Sequence, residues 1–427
     1  MIQKKLLTPG FFKLFKESAF VGFTEYASLG ALFLANIFVN RFYGNDELGV
    51  FSLCYAVAQI AVVGTGSAFS AILRRDVSLI QKANNHQLWH INQLKGLLII
   101  ICLFLLSFVL FFNNAATARL IYCIGLVLLA KGFDVLSETY YTTYQSVGLY
   151  RQYAVLKLLN AFLFITGIAV CCVTKLPADF IYFSMPATAF LAYGLNVAVY
   201  KNYAGQLTSV FHHQQGAGYK KYLLKEAWPL MLNALFFQLS SRLNVIIIFW
   251  LTSKADVAVF TAAVMGVTIF TAASNALAIV LFPDLNKQFN ASPSAFLAKT
   301  NRLIRLLLLL GLLVAGIYYI TISLQIKIIG NLPASANQVV KICSLFIPFA
   351  FATAAIGYSF VIIKKQRLGL VISMIVMLIN AGSFYFLTKC FYQQGMAWAY
   401  VVSGAFQLLL IYGMLHYLLM KKIKAAL

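Results

Sequence analysis

The chain reads as an all-α integral membrane protein, with about twelve transmembrane helices in two parallel-repeat six-helix bundles around a central cavity. Three observations lead there. Hydrophobic residues make up 62% of the 427 positions and charged residues 10%, with a mean hydropathy of +0.84; a soluble domain has roughly 45–50% apolar and about 25% charged residues. The apolar positions come in runs of about 20, enough for a helix to cross a hydrocarbon core about 30 Å thick. Finally, the stretch NDELGVFSL at Asn45–Leu53 returns as KADVAVFTA at Lys254–Ala262, 209 positions later.

Hydropathy places the spans near 20–42, 48–73, 94–112, 118–138, 154–173 and 177–200 in the first half. In the second half they fall near 227–251, 256–281, 303–324, 339–362, 368–387 and 394–419. The first is preceded by a basic segment carrying Lys4, Lys5, Lys13 and Lys16 and lacks a small-residue cleavage site, so it is expected to be retained rather than removed as a signal peptide. Pro186, Pro229, Pro283 and Pro348 fall in or at spans, where proline kinks or ends a helix.

The formal charge of +22 takes its meaning from where the basic residues fall. If the N-terminus is cytoplasmic, the inward connections hold most of them: Arg74, Arg75, Lys82 and Lys95 after the second span, Arg151 and Lys157 after the fourth, and Lys421, Lys422 and Lys424 at the end are examples. The outward connections hold far fewer, among them Arg41, Arg119, Lys175 and Lys254. This bias predicts that both termini are cytoplasmic; the resemblance set out below implies that the membrane is the bacterial cytoplasmic (inner) membrane. The bias also assigns the positive charge to anionic lipid rather than nucleic acid. The seven cysteines lie almost entirely in apolar runs without C-x-x-C spacing, so neither a disulfide framework nor a zinc site is expected.

Aligning Lys16 with Lys225 brings Glu17 onto Glu226, Glu47 onto Asp256 and Phe51 onto Phe260 without a gap. An even number of spans per half gives both halves the same orientation, as in parallel transporter repeats. The expected domains are residues 1–212 and 213–427, joined by the polar linker Tyr200–Trp228. The repeated hinge is then the outward turn between the first two helices of each bundle. Every outward connection is short, which leaves no room for the folded loop that a membrane glycan polymerase or ligase would use to hold catalytic groups.

The segment Asn40–Ser78 resembles the opening of the polysaccharide flippases of the multidrug/oligosaccharidyl-lipid/polysaccharide exporter superfamily. The resemblance rests on Arg41, Gly44, the run Glu47, Leu48, Gly49 and Phe51, the pair Gly64 and Gly66, and Arg74 with Arg75. Glu226–Leu251 is similar to the opening of that family's second half, with Pro229 at its start and Arg242 in mid-helix. Where the family places an acid after that arginine this chain has Asn244, so no acidic coupling site is carried over to this helix. The resemblance implies an O-antigen- or capsule-type flippase serving lipopolysaccharide or capsule assembly. It would carry undecaprenyl-diphosphate-linked oligosaccharide across the membrane by alternating access, beside partners such as a glycan polymerase and other assembly proteins. No bond is broken, so the protein is expected not to be an enzyme and to need no cofactor beyond a coupling ion, H⁺ or Na⁺.

Ionisable groups deep in spans are costly and therefore candidates for function. Arg242 in LSSRLN is the foremost, with Asn244 beside it; its alternative is an ion pair between helices. Lys131, Asp134 and Glu138 share a helical face that leads into TYYTTYQ, whose tyrosines are expected to stack on sugar rings. The alternative there is a self-neutralising Lys131–Asp134 pair. Glu25 is the ion-coupling candidate, against a plain helix-start glutamate. Arg41, Arg74 and Arg75 are expected to meet the diphosphate, against snorkelling at span ends. A drug or small-cation exporter on the same fold would want acids in these places, whereas Lys131 and Arg242 are basic.

Overall fold

In the computed structural model the described residues are 9–80, 85–111, 118–207, 217–330, 332–333, 335–357, 359–363 and 365–424. Every regular element among them is a helix. Ten stretches are long and apolar enough to cross a membrane. Two of these are double: α1 (Pro9–Ile80) breaks at Gly44, with φ 85° and ψ −179°, and α12 (Gln366–Lys424) breaks at Tyr392, with φ 48° and ψ −127°. Counting their arms separately recovers, among the described residues, the twelve spans that hydropathy predicts.

Local chemistry explains where helices start and stop. At the start of α7 (Lys254–Ala291) Ser253 and Asp256 form a reciprocal capping box, each side chain taking an otherwise unpaired backbone N–H of the other. Helix α8 (Pro293–Ile329) opens with proline at its first position and ends at Gly330, where φ is 71°. The span expected near 339–362 is interrupted, into α9 (Ala336–Ser344), α10 (Phe346–Ala354) and α11 (Ser359–Ile362). Pro348 has no N–H to bond back toward Ser344, which favours the break between α9 and α10.

The helices are apolar outside as well as inside. On α8, Leu306, Leu309, Leu313, Ile317, Ile320 and Leu324 form an exposed stripe at helical spacing, with Ile320 81% exposed. Its inward stripe carries the small or polar Gly311, Ala315, Tyr318 and Gln325. A large exposed apolar face with smaller residues inside is the pattern for lipid outside and close helix packing inside. The protein is a multi-pass membrane protein. Gly311 shows the packing directly: a Cβ there would lie 2.6 Å from the Cα of Pro348 on α10.

The chain divides into two compact units. One comprises residues 1–42 and 54–235, the other 43–53 and 236–427. The first unit packs the second arm of α1, α2 (Asn85–Phe111), α3 (Ala118–Ser146), α4 (Tyr150–Val173), α5 (Asp179–Leu207) and the start of α6 (Ala217–Leu251) around a core that includes Phe69, Leu73, Ile91 and Tyr144. In the second, α7, α8, α10 and α12 close around Phe296, Ala352, Ile356 and Leu415. The first copy of the repeated hinge is counted with the second unit, where it meets the other copy: a Cβ on Gly49 would stand 2.1 Å from the carbonyl oxygen of Lys254. Only glycine permits that approach of main chain to main chain.

Candidate functional site

Within the first unit the polar groups gather on α3. Lys131 Nζ lies 2.9 Å from Asp134 Oδ2 and 4.5 Å from the centre of the Tyr55 ring. Asp134 Oδ1 accepts from Asn160 Nδ2 on α4 at 3.2 Å. The carboxylate is thus oriented by two donors on different helices, and the ammonium is held by charge and by an aromatic face. Both charged side chains keep partial exposure, 16% for Lys131 and 33% for Asp134.

About two helical turns further along α3 lies a second polar cluster, built around a lysine that hydropathy leaves at a span's edge. Lys95 on α2 is 0% exposed. Its ammonium donates to Val135 O and Thr139 Oγ1, both at 3.0 Å, and to Ser70 Oγ on α1 at 3.4 Å. The Glu138 carboxylate acts on it electrostatically. That carboxylate sits over Gly66, where a Cβ would lie 2.6 Å from Glu138 Oε2, so glycine at this place makes room for an acid. Hydropathy starts the span at Leu94 and leaves Lys95 with the cytoplasmic charges, whereas the helix begins at Asn85. One signal was available: Lys95 falls at i, i+4 and i+7 from Ile91 and Leu88, on the buried stripe rather than the exposed one.

The tyrosines after Glu138 are not available to a sugar. Tyr140, Tyr141 and Tyr144 are buried, with exposures of 8%, 7% and 0%. Tyr140 packs against Tyr193 and Tyr200, and Tyr141 meets Tyr153 edge-on at 5.9 Å. Asn196 Nδ2 donates to the Tyr141 hydroxyl at 3.2 Å. The expectation of a stacking platform gives way to an aromatic core between α3, α4 and α5, formed because three tyrosines in five positions cannot all leave the packed face of a helix.

In the second unit Arg242 is half-buried on α6, and the hydroxyl of the half-buried Tyr400 lies within its electrostatic reach. The Tyr400 ring stacks on Phe346, with centroids 4.1 Å apart, and meets Phe260 edge-on. Two positions before Arg242, Ser240 is fixed by Asn380 on α12, whose Nδ2 donates to its Oγ at 2.6 Å and to its carbonyl at 3.1 Å. Asn244 is buried at 4% exposure and its Oδ1 accepts from the N–H of Val245. Arg242 and Asn244 therefore share a helix but differ in access. Arg41 is exposed where the first arm of α1 ends. The side chains of Glu25, Arg74 and Arg75 lie outside the described residues.

Residues 14–289 match the model of the family described as "Polysaccharide biosynthesis protein". The chain belongs to that family. The match takes in Lys95, Lys131, Glu138, Arg242 and Asn244, so both polar clusters of the first unit and the mid-helix arginine fall in the part of the chain that defines membership. Solved structures agree on the fold. A MOP superfamily transporter from Pyrococcus furiosus aligns at a TM-score of 0.64 over 95% of this chain and 96% of its own, with 14% identity. An outward-facing multidrug resistance MATE transporter of the same superfamily aligns at 0.67 over 96% of each chain, with 13% identity. The lipid II flippase MurJ in an inward closed conformation aligns at 0.64 over 93% of this chain and 86% of its own, with 14% identity. At these identities the likeness is one of fold: the family member has the twelve-helix architecture of the MOP superfamily. A comparison with curated protein sequences finds no significant match.

Proposed function

We propose that the protein is a flippase that moves undecaprenyl-diphosphate-linked oligosaccharide repeat units across the bacterial cytoplasmic membrane by alternating access, with both termini on the cytoplasmic side. The observation that carries the reading is the character of the half-buried charge in mid-helix on α6: it is a guanidinium, Arg242, in a chain of a polysaccharide biosynthesis family. A planar guanidinium donates two parallel hydrogen bonds to a phosphate and holds its charge at any cellular pH. Arg242, Lys131, Asp134 and Asn244 are proposed to line the polar path, and Arg41, Arg74 and Arg75 to meet the diphosphate at its two ends. The polyprenyl tail stays in lipid, matched by exposed apolar stripes such as that of α8. The two halves, 1–212 and 213–427, are proposed as the bodies that alternate, with Glu25 as the site of a coupling H⁺ or Na⁺. O-antigen or capsule is the proposed end product, made together with a glycan polymerase.

The test is deletion of the gene in its host. Surface glycan is expected to vanish while undecaprenyl-linked repeat units accumulate on the inner leaflet, and a plasmid copy restores display. Normal surface glycan in the deletion strain defeats the reading.

A further inference from the structure

The second unit carries a cavity of about 320 Å3 formed by three connections at one end of its helices. Asp256 comes from the start of α7, Ser335 and Gln338 from the turn into α9, and Tyr392, Gln393 and Gln394 from the break in α12. The basic run Lys421–Lys424 lies at the far end of the second arm of α12, some 30 residues or about 45 Å of helix away. On the topology proposed above, the cavity opens to the outer surface.

Two features separate this cavity from an ordinary loop crevice. The first is Tyr392, whose φ of 48° and ψ of −127° fit the first central position of a type II′ turn, a place dominated by glycine. Its strained backbone is not offset by packing, because the side chain is 70% exposed. The turn has no slack either: Gly395 has its Cα so close to the carbonyl of Leu387 that a Cβ would stand 1.9 Å from that oxygen. The second is the arrangement of amides. Asp256 is saturated on one oxygen by Ser253, and its other oxygen accepts from Gln393 Nε2 at 2.5 Å. Gln394 Nε2 donates to Gln338 Oε1 at 3.2 Å. Each amide has two N–H donors and two lone pairs, so these bonds restrain three glutamines that line the cavity and leave each of them with donors and acceptors unused by the bonds named here.

From this geometry we infer that the cavity is a sugar-binding subsite on the outward end of the second unit, with Tyr392 as the platform and Gln338, Gln393 and Gln394 as the hydroxyl readers. A pyranose presents a ring of hydroxyls that both donate and accept, and an apolar face of C–H groups. Neutral planar amides match the first and an exposed aromatic ring the second. The single acid is committed to its neighbours, which favours a neutral sugar over a cation. The inference rests on the flippase reading for its purpose, a holding place for the glycan as it leaves, but not for its measurement.

The experiment is saturation-transfer NMR on the full-length protein in lipid nanodiscs, with the methyl glycosides of glucose, galactose, N-acetylglucosamine and N-acetylgalactosamine as probes. The expected result is a saturable signal from at least one probe, weakened tenfold or more in both Tyr392→Ala and Gln338→Ala. It is kept in Tyr392→Phe and in Phe104→Ala, which removes an exposed aromatic elsewhere. Tyr392→Gly is expected to lose the signal and yet raise the melting temperature, because glycine takes that backbone shape without strain. The inference is overturned if no probe gives a saturable signal, or if the signal survives Tyr392→Ala and Gln338→Ala together; Tyr392 is then an interfacial anchor. Absent binding in a protein that still restores glycan display defeats this subsite alone, whereas normal display in the deletion strain defeats the flippase reading alone.

Discussion

Lys95→Met is expected to destabilise the protein by about 1–3 kcal/mol, the usual result of leaving buried hydrogen-bond acceptors without their donor. The ammonium it deletes has no exposure and joins α2 to two other helices, to α1 through Ser70 and to α3 through Val135 and Thr139. Methionine fills most of the volume but leaves Ser70 Oγ, Val135 O and Thr139 Oγ1 without this donor. The Glu138 carboxylate acts on the ammonium only through its field, and a double-mutant cycle isolates that share. Adding Glu138→Gln to Lys95→Met is expected to recover part of the stability, so that the double variant is milder than the sum of the singles. Thermal unfolding of the purified protein in detergent reads all three. If Lys95→Met melts with wild type, Lys95 does not hold α1, α2 and α3 together; if the two substitutions simply add, its charge is not coupled to Glu138.

Arg242→Ala is expected to abolish glycan display in the complemented deletion strain at unchanged membrane abundance. A hydrogen bond to a charged group is worth about 1.5–3 kcal/mol, which corresponds to a loss of roughly 10–100-fold in the rate of the step that uses it. Arg242→Lys keeps the charge and loses the planar fork, so partial display is expected. The neighbouring contact between Asn380 and Ser240 keeps α6 and α12 joined in both variants, which separates a lost ligand contact from a lost helix contact. Equal display by all three proteins would make Arg242 structural and move the phosphate-binding role to Lys131. A fall in abundance with alanine alone would make it an interhelical tie.

Much of this architecture is legible in the sequence because lipid imposes a simple rule on it. Hydropathy depends on composition within one span and gives twelve crossings, and the basic-residue bias gives their orientation; Gly44, just before the repeated hinge, marks the break in α1. Hydropathy also leaves a gap between 387 and 394, where α12 breaks, but nothing local shows that Tyr392 takes the positive φ there. Lys95 escapes for a related reason. Its partners lie 25, 40 and 44 positions away, and no window on the chain shows that a lysine at a span's edge will be buried against two other helices. Arg242 and Lys131 were found by the cost of charge in lipid, yet the same rule could not say that Lys131 is shared between Asp134 and Tyr55. The tyrosines were misread because aromatic residues serve a core and a sugar equally well, and only packing decides.

The central claim is transport of a lipid-linked glycan, and reconstitution addresses it without the cell. Purified protein is placed in liposomes whose undecaprenyl-diphosphate-linked repeat unit is accessible on one leaflet, and exposure of the glycan on the other is followed with a glycosidase that cannot cross. The account predicts protein-dependent conversion beyond the half that is accessible at the outset, slowed roughly 10–100-fold by Arg242→Ala. Conversion that stops at the initially accessible half, with protein and without it alike, would contradict it.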